Sequence, residues 1–159
     1  MKYKDFSDMI QKRVNDLPMI FAFSNEQLDN ALDDMGLSLK DMKGDKLIRM
    51  GVGAFCLKSD LEHIHSELGK VGEMKRDFIK DYEQAYDAFF YEMGNHEYHI
   101  NREGDWDVLS CFGLDDDVCE YGKDVDEYMD AMGFSPVTKA AYHDARGDFL
   151  RMASEKDWY

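Results

Sequence analysis

Phe6, Ile10, Val14 and Leu17 recur at helical spacing, which predicts an amphipathic helix over 4–16 that Pro18 ends. The short apolar run 19–23, MIFAF, predicts a buried strand. Ser24 and Gln27 have the spacing of a capping box, opening a helix whose buried face is Leu28, Ala31, Leu32 and Met35. Gly36 closes that helix and Leu37 clamps it. Residues 46–58, KLIRMGVGAFCLK, predict a hairpin around Gly51 and Gly53. Ser59 with Glu62 predicts a second capping box before a long helix bearing Leu61, Ile64, Leu68 and Val71. Gly69 and Gly72 weaken its middle and predict a bend or break near 70.

Phe78, Tyr82, Tyr86, Phe89, Phe90 and Met93 form an aromatic stripe at helical spacing, which favours core packing over a ligand-stacking platform. EYHI (97–100) predicts one more strand, and DWDVLSCFGL a short helix capped by Asp105 and stopped at Gly113. Asp124 with Glu127 starts a further helix with Val125, Tyr128, Met129 and Met132 inside and Gly133-Phe134 at its end. Ser135-Pro136 opens a last helix with Val137, Ala141, Ala145 and Phe149 on one side. LDDMGLS, LSCFGLD and MDAMGFS repeat a Gly-then-apolar helix stop at unequal intervals, which favours a reused stop over a duplication. The fold class expected is α+β, mostly helical, with about seven helices around a small, mainly antiparallel sheet.

The chain has 159 residues, 44% of them hydrophobic and 13% aromatic, enough to fill one core. Two prolines and no Ser/Gly linker predict a single domain over 1–159. No apolar run approaches the roughly 20 residues of a membrane helix, and the N-terminus lacks the apolar stretch of a signal peptide. Three cysteines without a CxxC favour a reducing cytoplasm, with Cys56 and Cys111 as small buried hydrophobes.

No strong catalytic signature stands out. His96, Glu97 and His99 approach the HExxH zinc motif, but with the histidines three apart instead of four. His63 and His65 are two apart and diverge on a helix. The five histidines and three cysteines fit no usual zinc template, so hydrogen-bonded structural histidines are expected, with no metal and no cofactor. NREGDWD lacks the sixth-position Gly and twelfth-position Glu of a calcium loop. GVGAFC lacks the third Gly of GxGxxG and the Lys-Ser/Thr of a P-loop, and reads as a turn.

Charge is the most uneven property. Between Asn101 and Phe134 eleven acids face two bases, a net −9 out of the chain's −15. Such a field repels nucleic acid and anionic membranes and attracts proteins with basic grooves. The acids alternate with apolar anchors (Trp106, Leu109, Phe112, Tyr121, Tyr128, Met132), so the segment should fold and hold its carboxylates at fixed spacing, as a duplex holds phosphates. The expected docking face is Asp105, Asp107, Asp115, Asp116, Asp117, Glu120, Asp124, Asp126, Glu127 and Asp130. The competing reading is a solvated face that only keeps the protein soluble.

FAFSNEQLDNALDDMGL, GVGAFCLKSDLEHIH and YDAFFYEMGNHEYHI together resemble an uncharacterised family of small proteins carried by phages and conjugative elements of gut and soil bacteria. The resemblance covers about residues 3–114, with FAF and NHEY its most specific pieces, and leaves 115–159 as an acidic helical extension. It transfers no catalytic residue. Genes of this size on mobile elements often encode inhibitors of host defence, so the resemblance implies an anti-defence role, anti-CRISPR or anti-restriction.

The expectation is therefore a non-enzymatic acidic inhibitor of phage or mobile-element origin acting in the bacterial cytoplasm. Its partner would be a host protein with a basic groove, a CRISPR effector or another nucleic-acid enzyme, with no direct nucleic-acid or membrane contact. One alternative is a metal-dependent hydrolase or modifying enzyme using His96, Glu97 and His99. Another is a phage structural or regulatory accessory protein.

Overall fold

A computed structural model describes residues 1–38 and 46–158. Among them are seven α-helices and a three-stranded antiparallel sheet in the order β1-β3-β2, so the fold is α+β and mostly helical. No helix among the described residues is long and apolar enough to cross a membrane. The chain divides into two compact units, residues 10–70 and residues 1–9 with 71–159. Helices α1 (Tyr3–Asn15) and α3 (Leu61–Phe78) contribute to both.

The 10–70 unit holds the sheet. Strand β1 is Ile20–Phe21, β2 Leu47–Gly51 and β3 Ala54–Leu57. β1 is shorter than MIFAF suggests, and it is not buried on both faces. Ile20 and Ala22 turn inward onto Leu28 and Leu32 of α2 (Asn25–Asp34), while Phe21 and Phe23 are 60% and 77% exposed. The period of two puts alternate residues on opposite faces, and only one face is covered. Ser24 caps α2 by accepting from the Gln27 amide at 3.1 Å, but the Gln27 side chain reaches the amide of Phe23 instead of Ser24. The β2–β3 hairpin turns at Gly53, whose φ of 71° and contact with the Phe23 ring leave no room for a Cβ. Ser59 does not cap a helix: it lies in a 3-10 turn, Lys58–Asp60, that leads directly into α3. Helix α3 is continuous through Gly69 and Gly72, both exposed, so the predicted break is absent.

The other unit is built on α4 (Tyr82–Asn95) and α7 (Pro136–Glu155), with α5 (Gly104–Ser110) and α6 (Val125–Ala131) beside them. The Tyr82 hydroxyl donates to Asp144 at 2.6 Å and the Tyr86 hydroxyl to Asp148 at 2.8 Å. The pairing advances together on both helices, so α4 and α7 run in the same direction. Half of the aromatic stripe is core (Phe78, Phe89 and Met93), while Tyr82, Tyr86 and Phe90 are half-buried: Phe89 meets Phe112 and Tyr142 edge-on at 5.2 and 5.0 Å, and Phe6 stacks on Phe78 at 4.3 Å. The buried face of α7 is Thr138, Ala141, Tyr142, Ala145, Phe149 and Ala153; Val137 is exposed, one position off the true stripe.

Five helices end in one hydrogen-bonding arrangement. A residue at positive φ follows within two positions of the cap, and the amide after it returns to a carbonyl five residues back. Leu37 bonds Leu32, Tyr98 bonds Met93, Leu114 bonds Leu109, Phe134 bonds Met129 and Trp158 bonds Ala153. The left-handed residue is Gly36, Gly113 and Gly133 in three of them, but Glu97 (φ 48°) in α4 and Asp157 (φ 52°) in α7. EYHI is therefore no strand: its first two residues complete the stop of α4, and Ile100 then turns back to Glu97.

Candidate functional site

The last turn of α4 carries Glu92, and four residues on, at the cap, His96. A separation of four on a helix stacks two side chains on one face. Cys111 follows α5 and meets them there. Glu92 Oε2 lies 3.6 Å from His96 Nε2, and Cys111 Sγ lies 3.4 Å from the same nitrogen. One donor atom from each of the three falls within 4.8 Å of the other two.

Glu92 is 7% exposed and its carboxylate is held by neighbours. The Tyr3 hydroxyl donates to Oε1 at 2.7 Å, and Asn95 Nδ2 donates to Oε2 at 3.2 Å. Asn101 Nδ2 bridges the His96 carbonyl (3.0 Å) and the Asp107 carboxylate (2.8 Å), tying the end of α4 to the helix that leads to Cys111. The His96 side chain is 33% exposed and forms the solvent side of the cluster.

Burial, and then the Glu92 carboxylate, push the Cys111 thiol up to about 12. Burial and the bond to Glu92 also raise the Tyr3 phenol well above its ordinary value. A cysteine nucleophile needs its thiol lowered, with cysteine and carboxylate at opposite nitrogens of the histidine. Here both face Nε2 and the thiol is raised. The trio is not arranged as an acid–base relay. It gathers three lone-pair donors within 4.8 Å of one another.

The histidine motif is only half right. His96 joins the cluster, but Glu97 is exposed and serves as the left-handed stop of α4, while His99 packs against the rings of Phe149 and Trp158. The structure does not bring His96, Glu97 and His99 together. Cys111 is not a plain buried hydrophobe as expected, since its sulfur contacts His96. The signal present in the sequence was the Glu92–His96 spacing. Cys111 and Tyr3 carried no local signal.

The ten acids separate into two groups. Asp105 does not cap α5, since Glu103 occupies that position. Its half-buried carboxylate accepts from the Tyr98 and Tyr142 hydroxyls at 2.6 and 2.5 Å, and Asp107 is half-buried against Asn101. The other eight are exposed. Asp115 Oδ1 accepts the amides of Asp117 and Val118. Asp124 and Glu127 form the predicted capping box of α6. Asp126 pairs with His143 at 2.8 Å, and Asp130 with Lys139. Asp116, Asp117 and Glu120 project from the loop between α5 and α6.

A cleft of about 460 Å³ lies elsewhere in this unit, lined in part by Arg76, Lys80, Phe134 and Thr138. Thr138 Oγ1 donates to the Ile79 carbonyl at 2.7 Å, which anchors α7 at the cleft wall.

No curated protein and no solved structure is similar enough to match the chain. A family model described as a family of unknown function, DUF7659, matches residues 2–132, a span that holds Tyr3, the Glu92–His96–Cys111 cluster and the acidic segment through Asp130, and the chain belongs to that family.

Proposed function

We propose that the chain is a non-enzymatic binding protein of mobile-element origin that occupies the basic groove of a nucleic-acid-handling host complex in the bacterial cytoplasm, a CRISPR effector being the sharpest instance. The observation that carries this reading is the exposed set Asp115, Asp116, Asp117, Glu120, Asp124, Asp126, Glu127 and Asp130. It stands on backbone anchored by buried Leu114, Cys119, Val125, Tyr128, Met129 and Met132. Along α6, Asp126, Glu127 and Asp130 fall within one outward stripe opposite that buried face. Carboxylates on an ordered scaffold lose little freedom on docking, and a groove evolved for phosphates offers matching cations. The pairs with His143 and Lys139 are surface pairs of small worth and can give way to a partner's arginines. Asp105 and Asp107 drop out of the docking face, because their carboxylates are held inside by tyrosines and Asn101.

Charge reversal tests this. Asp116→Lys, Asp117→Lys and Glu120→Lys together alter charge while sparing Asp115, which holds its own turn. Immobilised wild-type protein in nuclease-treated host lysate is expected to retain a nucleic-acid enzyme that raised salt releases, and the triple variant to lose it. An identical set of captured proteins on both columns contradicts the proposal.

A further inference from the structure

We propose that Glu92, His96 and Cys111 form a Zn²⁺ site with three protein ligands and one position open to solvent on the His96 side. The argument is geometric and does not depend on the acidic face. Zinc takes sulfur at about 2.3 Å, nitrogen at about 2.0–2.1 Å and carboxylate oxygen at about 2.0–2.2 Å in tetrahedral array. Those bond lengths place neighbouring donors about 3.3–3.6 Å apart. Oε2 to Nε2 is 3.6 Å and Sγ to Nε2 is 3.4 Å. Both separations match, the carboxylate and the sulfur lie within 4.8 Å of each other, and both partners meet the histidine at the nitrogen whose lone pair a metal uses.

The donor types select the ion. One thiolate, one imidazole and one carboxylate form a borderline set that suits Zn²⁺, whereas the hard cations Ca²⁺ and Mg²⁺ favour oxygen alone. An outer layer is already present: the Tyr3 hydroxyl and Asn95 fix the carboxylate, and Asn101 fixes the backbone of His96. Three ligands instead of four leave room for one water, as in sites that keep an exchangeable position. On loading, the Cys111 S–H bond breaks and its proton goes to solvent, while the sulfur pair forms the bond to zinc. Glu92 and His96 donate existing lone pairs, and no electron changes hands.

The full chain is equilibrated with Zn²⁺ or Co²⁺ as chlorides and dialysed. Elemental analysis is expected to find one zinc per chain. The Co²⁺ form is expected to show the visible bands of a tetrahedral ion and a near-ultraviolet thiolate-to-metal band. Cys111→Ser should abolish the thiolate band and weaken binding by more than the ~10–100-fold typical of losing an outer partner. Tyr3→Phe should fall within that ~10–100-fold range, and Glu97→Gln should bind as wild type. Where Cys111→Ser does not fold, the wild-type chain decides: the thiolate-to-metal band should rise in proportion to added Co²⁺ and saturate at one ion per chain. Sub-stoichiometric zinc, octahedral Co²⁺ bands or the absence of a thiolate-to-metal band in the wild-type chain would overturn the site.

Discussion

Tyr3 and Glu92 are eighty-nine residues apart, yet their 2.7 Å bond holds the cluster's buried carboxylate. A phenol donating to a buried acid is worth more than a neutral pair, because the carboxylate left behind has no water to replace it. Tyr3→Phe should therefore cost about 1.5–3 kcal/mol in urea unfolding, and a loss below about 0.5 kcal/mol would contradict that account. Glu67 is held by cations instead. Hydrogen bonds from Lys70 and then Arg13 lower it from 4.5 to about 2. A depressed acid contributes stability above its unfolded value and loses it as pH falls through its folded value. Stability should thus decline between about pH 4.5 and 2, and Glu67→Gln should flatten that part of the curve. Glu67–Lys70 is a local i,i+3 pair, but the Tyr3–Glu92 and Arg13–Glu67 partnerships are not legible in the sequence. Tyr3 lies outside the helix predicted over 4–16 and Cys111 reads as a small buried hydrophobe, because pairs formed at long separation leave no local pattern. The Glu92–His96 spacing of four is the exception: it places both side chains on one helix face.

At the scale of elements, the ends were the most legible features wherever a special residue marks them. Gly36, Gly113 and Gly133 were each recognised as stops, and each takes positive φ. Asp124–Glu127 and Ser135-Pro136 were recognised as starts and cap α6 and α7. The same stop at Glu97 and Asp157 carries no sequence mark because neither is glycine, which is why EYHI reads as a strand in sequence. Reuse of the stop at five ends with little shared sequence also supports an ordinary terminator over a duplication. A non-glycine residue in the left-handed region costs about 1–2 kcal/mol, which exceeds the about 0.5–1 kcal/mol entropic cost of glycine. Glu97→Gly should therefore stabilise the chain by up to about 1 kcal/mol in thermal or urea unfolding, and a clear destabilisation would show that the Glu97 side chain matters to the fold. Capping separates from charge at Asp124. Asparagine caps as well as aspartate, so Asp124→Asn should leave stability near wild type, while Asp124→Ala should lose about 0.5–2 kcal/mol.

For the whole molecule, the charge distribution was readable at once and the fold class followed from the helix signals. Which acids face outward was not readable, since Asp105 and Asp107 look no different in sequence from Asp116 and Asp117. Only the tyrosines of α7 and of the turn after α4, together with Asn101, decide it. The match to residues 2–132 runs past residue 114 and through the acidic segment, so that segment lies within the family's span. With a captured partner in hand, calorimetric titration of the chain into that protein, alone and loaded with its own nucleic acid, is the most direct measurement. The account predicts tight, salt-sensitive binding to the free protein and none once the nucleic acid fills the groove. Equal binding in both states would contradict it.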